Sequence, residues 1–223
     1  MTHRLKERID QLRQVTGASR NCSWMVDEVC SLLYSLVKFY QPDLVIQTGH
    51  LWGKSALFVL EAIRDGCGIF EDPRLNPDRH FAGFVEAHRP RPIVPLFYSV
   101  DPNPQGAEDG NAGISLLADW YAGTFAFFRI KSQDFFAQEG AGIDAQFAGK
   151  LVMTIVDGDH TEAGCNADLV GSASIGESLI FVDDIDLQPK IAAIAIAFAN
   201  QYGYLYFPLH LYNGVAILAS KDA

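Results

Sequence analysis

Apolar positions in this chain recur at two spacings, and the switches between them mark its elements. Over residues 4–16, Leu5, Ile9, Leu12 and Val15 fall on one helical face, with Arg, Lys and Glu elsewhere. Gly17-Ala18-Ser19 interrupts the pattern. It resumes from Met25 to Tyr40 through Val26, Val29, Leu33, Leu36 and Val37, until Pro42 stops it. These two helices are expected to form an N-terminal cap over residues 1–42, ahead of an α/β domain at 43–223.

The spacing then changes. Leu44-Val45-Ile46 is a short continuous apolar run, the signature of a strand buried on both faces of a parallel sheet. It runs into Thr48-Gly49, crosses His50-Leu51-Trp52 to Gly53, and continues at helical spacing through Ala56, Leu57, Val59, Leu60 and Ile63. Further strands are predicted at Leu96–Val100, Phe128–Lys131, Leu151–Val156, Leu179–Val182, Tyr204–Phe207 and Val215–Leu218. Helices are predicted over Ile114–Phe127, weakly near Phe135 and Phe136, from Thr161-Glu162, and from Pro189. Alternating units of this kind predict a doubly wound, mostly parallel sheet covered on both faces. Asp65 to Pro95, with five prolines and three glycines, is too long for an ordinary connection. It is expected to be an inserted lid or a contact between copies in a homo-oligomer.

Composition narrows the function. A formal net charge of −10 over 223 residues argues against a nucleic-acid binder, which needs a clustered basic face. The longest apolar stretch, Ile191 to Ala199, is too short to span a membrane. The charged, amphipathic N-terminus does not resemble a signal peptide. Cys22, Cys30, Cys67 and Cys165 form no C-x-x-C pair, so reduced thiols in a cytoplasmic protein are expected.

Candidate chemistry gathers at predicted strand ends. Gly49 can adopt a backbone conformation closed to other residues, and the helix after it offers free N–H groups to a polar or anionic ligand. Asp101, Asp157, Asp159, Asp183 and Asp184 all follow strands, which in a parallel sheet places them along one edge. Such acids serve as a hard-cation site or as polar and general-base groups, although an aspartate after a strand is also a common turn former. His160, beside Asp159, reads equally as a base, a ligand or a cap. GHLWGKS is not a P-loop: that motif needs four residues between its glycines, and Gly49 and Gly53 are separated by three. Lys54 is then expected to be a solvated first-turn residue.

Four stretches together resemble the class I S-adenosylmethionine-dependent methyltransferases. VIQTGHLWGKSAL is similar to their first motif, YSVDPNP to the acidic second-strand motif and IKSQDFF to the third. LVMTIVDGDHTEAGCNADL with ESLIFVDDID resembles the DGDH and DD pair of the metal-dependent sugar and macrolide O-methyltransferase branch. The resemblance runs from about Asp43 to Asp186 and implies a Rossmann-like, seven-stranded sheet with one reversed strand near the C-terminus. It implies S-adenosylmethionine over Gln47, Thr48, Gly49, Gly53, Ser55 and Asp157, with Asp101 on the ribose and Gln133 near the adenine. It also implies Mg²⁺ or another divalent ion on Asp157, Asp183 and Asp184, and Asp159 or His160 as the base. The reading is O-methylation of a small hydroxylated acceptor. Gln47 for the usual glutamate, Ser132-Gln133 for Gly-Asp and Glu177-Ser178 for Gly-Gly depart from the pattern. Gln47 favours the alternative, a non-catalytic protein of this fold that binds a nucleoside or a protein partner. A nucleotide hydrolase is disfavoured by the failed P-loop spacing.

Overall fold

Among the described residues, seven strands form one sheet: β1 (Leu44–Thr48), β2 (Leu96–Val100), β3 (Phe125–Phe128), β4 (Val152–Val156), β5 (Ser178–Val182), β6 (Tyr204–Leu209) and β7 (Val215–Ser220). Their order is β3-β2-β1-β4-β5-β7-β6. The computed structural model describes residues 3–18, 25–71, 96–105, 110–175 and 178–220, with the backbone alone for 67–71 and 178. Pairing is parallel from β3 through β5, whereas β7 runs antiparallel to both β5 and β6. The expected reversed strand is therefore β7.

Seven helices are described: α1 (His3–Thr16), α2 (Asp27–Tyr40), α3 (Lys54–Glu71), α4 (Asn111–Trp120), α5 (Ser132–Gln146), α6 (Glu162–Ala173) and α7 (Pro189–Tyr202). Strand side chains alternate between the two faces. Val45, Phe97, Met153, Ile155 and Phe181 meet Leu5, Ile9 and Leu12 of α1, Val29 and Leu33 of α2, Leu57 of α3 and Leu117 of α4. On the opposite face Leu44, Ile46 and Val152 meet Phe135, Phe136 and Ile143 of α5. Ile180 and Val182 meet Leu169 of α6 and Phe198 of α7. Each such side chain taken out of water contributes about 1.5–3 kcal/mol, so both helical layers are bound to the sheet by its unbroken apolar strands.

A polar clamp reinforces the N-terminal layer. Glu61 of α3 is fully buried. Its carboxylate accepts from Arg8 Nη1 at 2.8 Å and Arg4 Nε at 3.2 Å, and also from Arg64 and the Tyr121 hydroxyl. The Arg8 guanidinium lies 4.9 Å from the ring centres of Trp120 and Tyr121.

Four boundaries differ from the sequence expectation. The helix predicted through Phe127 ends at Trp120, and the third strand is Phe125–Phe128 rather than Phe128–Lys131. Gly123 at φ 81° turns the chain, and the Phe97 amide donates to the Thr124 carbonyl at 2.8 Å, which draws the aromatic run into the sheet. The weak helix near Phe135 is α5, with 15 residues, because Phe135, Phe136 and Ile143 are buried on one side of it. Helix α3 runs on to Glu71, into the segment expected as an insertion. The remainder of that lid or subunit contact, 72–95, and Glu177 lie outside the described residues.

Candidate active site

Register brings the predicted acids together. Thr48 at the end of β1 pairs with Val100 of β2 and Val156 of β4, and Val156 pairs with Val182 of β5. The next residues, Gly49, Asp101, Asp157 and Asp183, therefore emerge side by side on one rim. The strand order reverses between β1 and β4, where open α/β sheets bind ligands.

Asp101 shapes the glycine turn. Its Oδ2 accepts from the amides of His50 at 2.8 Å and Leu51 at 3.1 Å, and its Oδ1 from Asn103 at 2.7 Å. Leu51 is thereby held at φ 50°, a left-handed conformation that costs a non-glycine residue about 1 kcal/mol or more. At Gly49, φ 82°, a Cβ would stand 2.1 Å from the Asp157 carbonyl oxygen. The missing side chain thus admits the β4 backbone and brings the two turns into direct contact. Gln47 lies beneath them, fully buried, its Nε2 donating to the Gly49 carbonyl at 2.6 Å and to Ser55 Oγ at 2.8 Å.

Two adjoining cavities open on this rim and share Gly49, Asp101 and Gly158 as walls. The first, about 280 Å³, is also lined by Met25, Lys54, Ser55, Asp157 and His160. The second, about 340 Å³, adds Thr48, Lys131, Ser132, Gln133 and Asp159. Together they fall within the size range of small-ligand sites. Of the predicted cofactor residues, Gln47 and Gly53 stand behind these walls and the others form them.

Charge is concentrated at one end. Burial, then the proximity of Asp183, Asp184 and Asp101, pushes the Asp157 carboxyl well above the usual carboxylate range. Burial and Asp184 push Asp183 up to about 7. Asp184, at φ 63°, accepts from Asn213 Nδ2 at 2.9 Å through Oδ1 and meets His160 Nδ1 at 3.1 Å through Oδ2. The hydrogen bond to Asp184 raises the His160 pKa against the opposing effect of burial. The Gln188 amide also touches Nδ1, at 2.7 Å, and His160 Nε2 lies 3.8 Å from Asp157 Oδ1. Among the described residues, no three His, Cys, Asp or Glu side chains are grouped so as to hold a metal ion. Asp159 is exposed on the second cavity and accepts from the Thr161 amide at 2.9 Å, at the start of α6.

Lys54 corrects the expectation made for it. It is buried, and its Nζ donates to the Met25 carbonyl at 3.0 Å and pairs with Asp27 Oδ1 at 2.7 Å. Only the fold of α2 over the start of α3 creates those partners, so no local sequence signal marks them. The same holds for Asn213, which reaches Asp184 from 29 residues along the chain, and for Gln188, which reaches His160 from 28. His50, which carries no sequence pattern, is buried with Nδ1 at 2.7 Å from Ser99 Oγ, and burial lowers its pKa to about 4. It is a neutral packing residue whose backbone amide serves the turn. His210 pairs with Asp186 on the surface, with Nδ1 at 2.9 Å from Oδ2.

No family model and no curated protein matches the chain. Solved structures do. A methyltransferase from Podospora anserina with S-adenosylhomocysteine bound is 11% identical, covers 100% of this chain and 89% of its own, and superposes with a TM-score of 0.64. An O-methyltransferase of Streptomyces achromogenes involved in tomaymycin synthesis, in complex with S-adenosylmethionine, is 11% identical over 99% of this chain and 91% of its own, with a TM-score of 0.62. An O-methyltransferase from Bacillus cereus in complex with S-adenosylhomocysteine gives 10% identity, 99% and 92% coverage and a TM-score of 0.64. The chain has the class I methyltransferase fold. No described helix is long and apolar enough to cross a membrane.

Proposed function

We propose that this protein is an S-adenosylmethionine-dependent methyltransferase acting on a hydroxyl of a small acceptor. The observation that carries the reading is the pair of joined cavities at the β1–β4 switch point, walled by the turn at Gly49 and by Asp101, Ser132, Gln133, Asp157 and His160. The donor groups suit the cofactor: Ser132 and Gln133 offer hydrogen bonds to a purine, and Asp101 keeps lone pairs for a ribose beside the amides it already holds. The acidic rim suits a cationic sulfonium, since a nearby positive charge favours the ionised carboxylates.

S-adenosylmethionine supplies, when bound, an activated methyl group that needs in-line placement and shielding from water. The chain's own residues supply the rest. His160 lines the first cavity, and with Nδ1–H donating to Asp184 Oδ2 its Nε2 is left to accept the proton an acceptor hydroxyl releases. His160 is the better placed of the two candidate bases, because Asp159 sits on the second cavity and serves the start of α6. The residues as they stand do not fit Mg²⁺: the two oxygens of Asp184 already meet Asn213 and His160, and the described acids and histidines form no three-residue ligand set.

Calorimetric titration with S-adenosylmethionine, followed by labelled methyl transfer to a panel of catechols and sugars, tests the reading. The expected result is donor binding, turnover unaffected by EDTA, and loss of turnover without loss of donor affinity in His160→Gln. Absence of donor binding overturns it. Binding without turnover supports the second reading, a non-catalytic nucleoside-binding protein. The Gln47 amide favours that reading, because it donates to the Gly49 carbonyl, as a glutamate at this position could not.

A further inference from the structure

Strand β6 stands at one end of the sheet, with no described strand beyond it. Natural edge strands are usually short or guarded by charge, because their unpaired backbone groups invite another chain. The opposite edge follows that rule: β3 has four residues and runs straight into Arg129. At β6 the rule is not followed. That strand has six residues, and from Ile191 in α7 to Leu209 the chain holds no Asp, Glu, Lys, Arg or His. Pro208 removes a single donor, near one end of the strand. Tyr204 and Tyr206 pack on the α7 layer, so alternation turns Leu205 and Phe207 to the opposite face, where they remain 45% and 50% exposed. On α7, Lys190 pairs with Glu162 of α6. Ile196 flanks the buried stripe of Ile191, Ala195 and Phe198 from the other side, and it is 44% exposed. An uncharged, apolar border therefore surrounds the open strand on both faces of the sheet.

We propose that β6 pairs antiparallel with β6 of a second copy about a two-fold axis, so that the sheet continues from one protomer into its partner. Three observations select a second copy over another occupant. Antiparallel pairing about a two-fold is self-complementary, each copy offering the same backbone groups and the same side chains. The chain carries a formal net charge of −10, and two such chains repel unless they meet where neither presents a carboxylate. This border is such a place. Area agrees as well. Ile196, Tyr202, Leu205 and Phe207 are each close to half exposed. They supply on the order of 400 Å² per copy, half of the roughly 800 Å² a standard interface takes from each partner, before the backbone edge and its uncharged neighbours are counted.

Sedimentation equilibrium of the full chain tests the pairing and is expected to show a concentration-dependent dimer. Phe207→Lys removes an apolar anchor from both sides and sets a cation of each copy against its mate. It is expected to raise the dissociation constant about 100-fold or more. Val15→Lys, at an exposed valine of α1, is expected to leave it unchanged, because α1 packs on α3 and α4, away from β6. In the wild type, the backbone amides of β6 are expected to exchange with deuterium more slowly in the dimer than after dilution. A chain that stays monomeric at every concentration up to about 0.1 mM, or a dimer that a folded Phe207→Lys leaves intact, overturns the proposal. Should Phe207→Lys fail to fold, exchange at β6 decides, and exchange that does not change on dilution overturns it. Co-sedimentation of a monomeric chain with neutral phosphatidylcholine vesicles would assign the border to a lipid surface and overturn it equally.

Discussion

Asp101→Ala removes the acceptor for three backbone amides, those of His50, Leu51 and Asn103. The Asn103 amide is exposed and water replaces its partner at little cost. The other two are partly buried, and each donor left unmatched costs about 1–3 kcal/mol. Leu51, at φ 50°, also loses the bond that offsets its backbone strain. Partial access of water through the cavities brings the total to about 2–4 kcal/mol, or a melting temperature lower by about 5–15 °C for a chain of this size. Asp101→Asn keeps one acceptor oxygen for the His50 and Leu51 amides, turns its NH₂ toward Asn103, and is expected to lose about 1 kcal/mol. Urea unfolding followed by tryptophan fluorescence measures both. The expected order of stability is wild type, asparagine, alanine, with S-adenosylhomocysteine affinity falling in the same order. An alanine variant within about 0.5 kcal/mol of wild type would refute the reasoning, because the carboxylate would then not be holding the turn.

Other outcomes follow from separate features. Glu61→Ala takes the shared acceptor from the partly exposed Arg4, Arg8 and Arg64 and from the buried Tyr121 hydroxyl and is expected to cost about 2–4 kcal/mol in urea unfolding, whereas Arg4→Ala, at a half-exposed position, costs about 1 kcal/mol or less. Equal costs would show that burial is not what sets the scale. Gly49→Ala places a Cβ 2.1 Å from the Asp157 carbonyl oxygen at φ 82°, and soluble yield on expression should collapse; a well-folded variant contradicts the contact. Burial pushes the fully buried Asp168 carboxyl up to about 6. Its contribution to stability is therefore full below the unfolded carboxyl pKa and is lost as pH rises through 6. Asp168→Asn removes that loss and should be more stable than wild type by about 2–3 kcal/mol at pH 8, with the advantage gone near pH 4. A pH-independent difference in thermal melts would reject the assignment.

The sheet and the acidic rim were legible because both follow from local rules. Apolar runs ending in Gly49, Asp101, Asp157 and Asp183 needed only parallel pairing to bring those residues level. The start of β3 was misread because Phe125 and Phe127 suit a helix or a strand equally, and Gly123 decided between them. Lys54 looked like a surface residue, and nothing in the sequence marked Glu61 or Asn213. Each owes its burial or its partner to an element far along the chain, which no window of sequence contains. Asp101 was identified, but its hold on the turn backbone was not, since an aspartate after a strand looks the same whether its oxygens face solvent, a ligand or amides.

The arginine-ringed carboxylate of Glu61 also bears on how the protein can be cut. A fragment beginning at Asp43 would retain every described strand and both cavities except for the Met25 wall of the first. It would strip Glu61 of Arg4 and Arg8, leaving Arg64 and Tyr121 to hold it, beside the bare apolar wall that Leu5, Ile9, Leu12, Val29 and Leu33 now cover. Such a truncation would be sticky and unstable, so anyone seeking a minimal version should trim elsewhere and leave the first two helices in place.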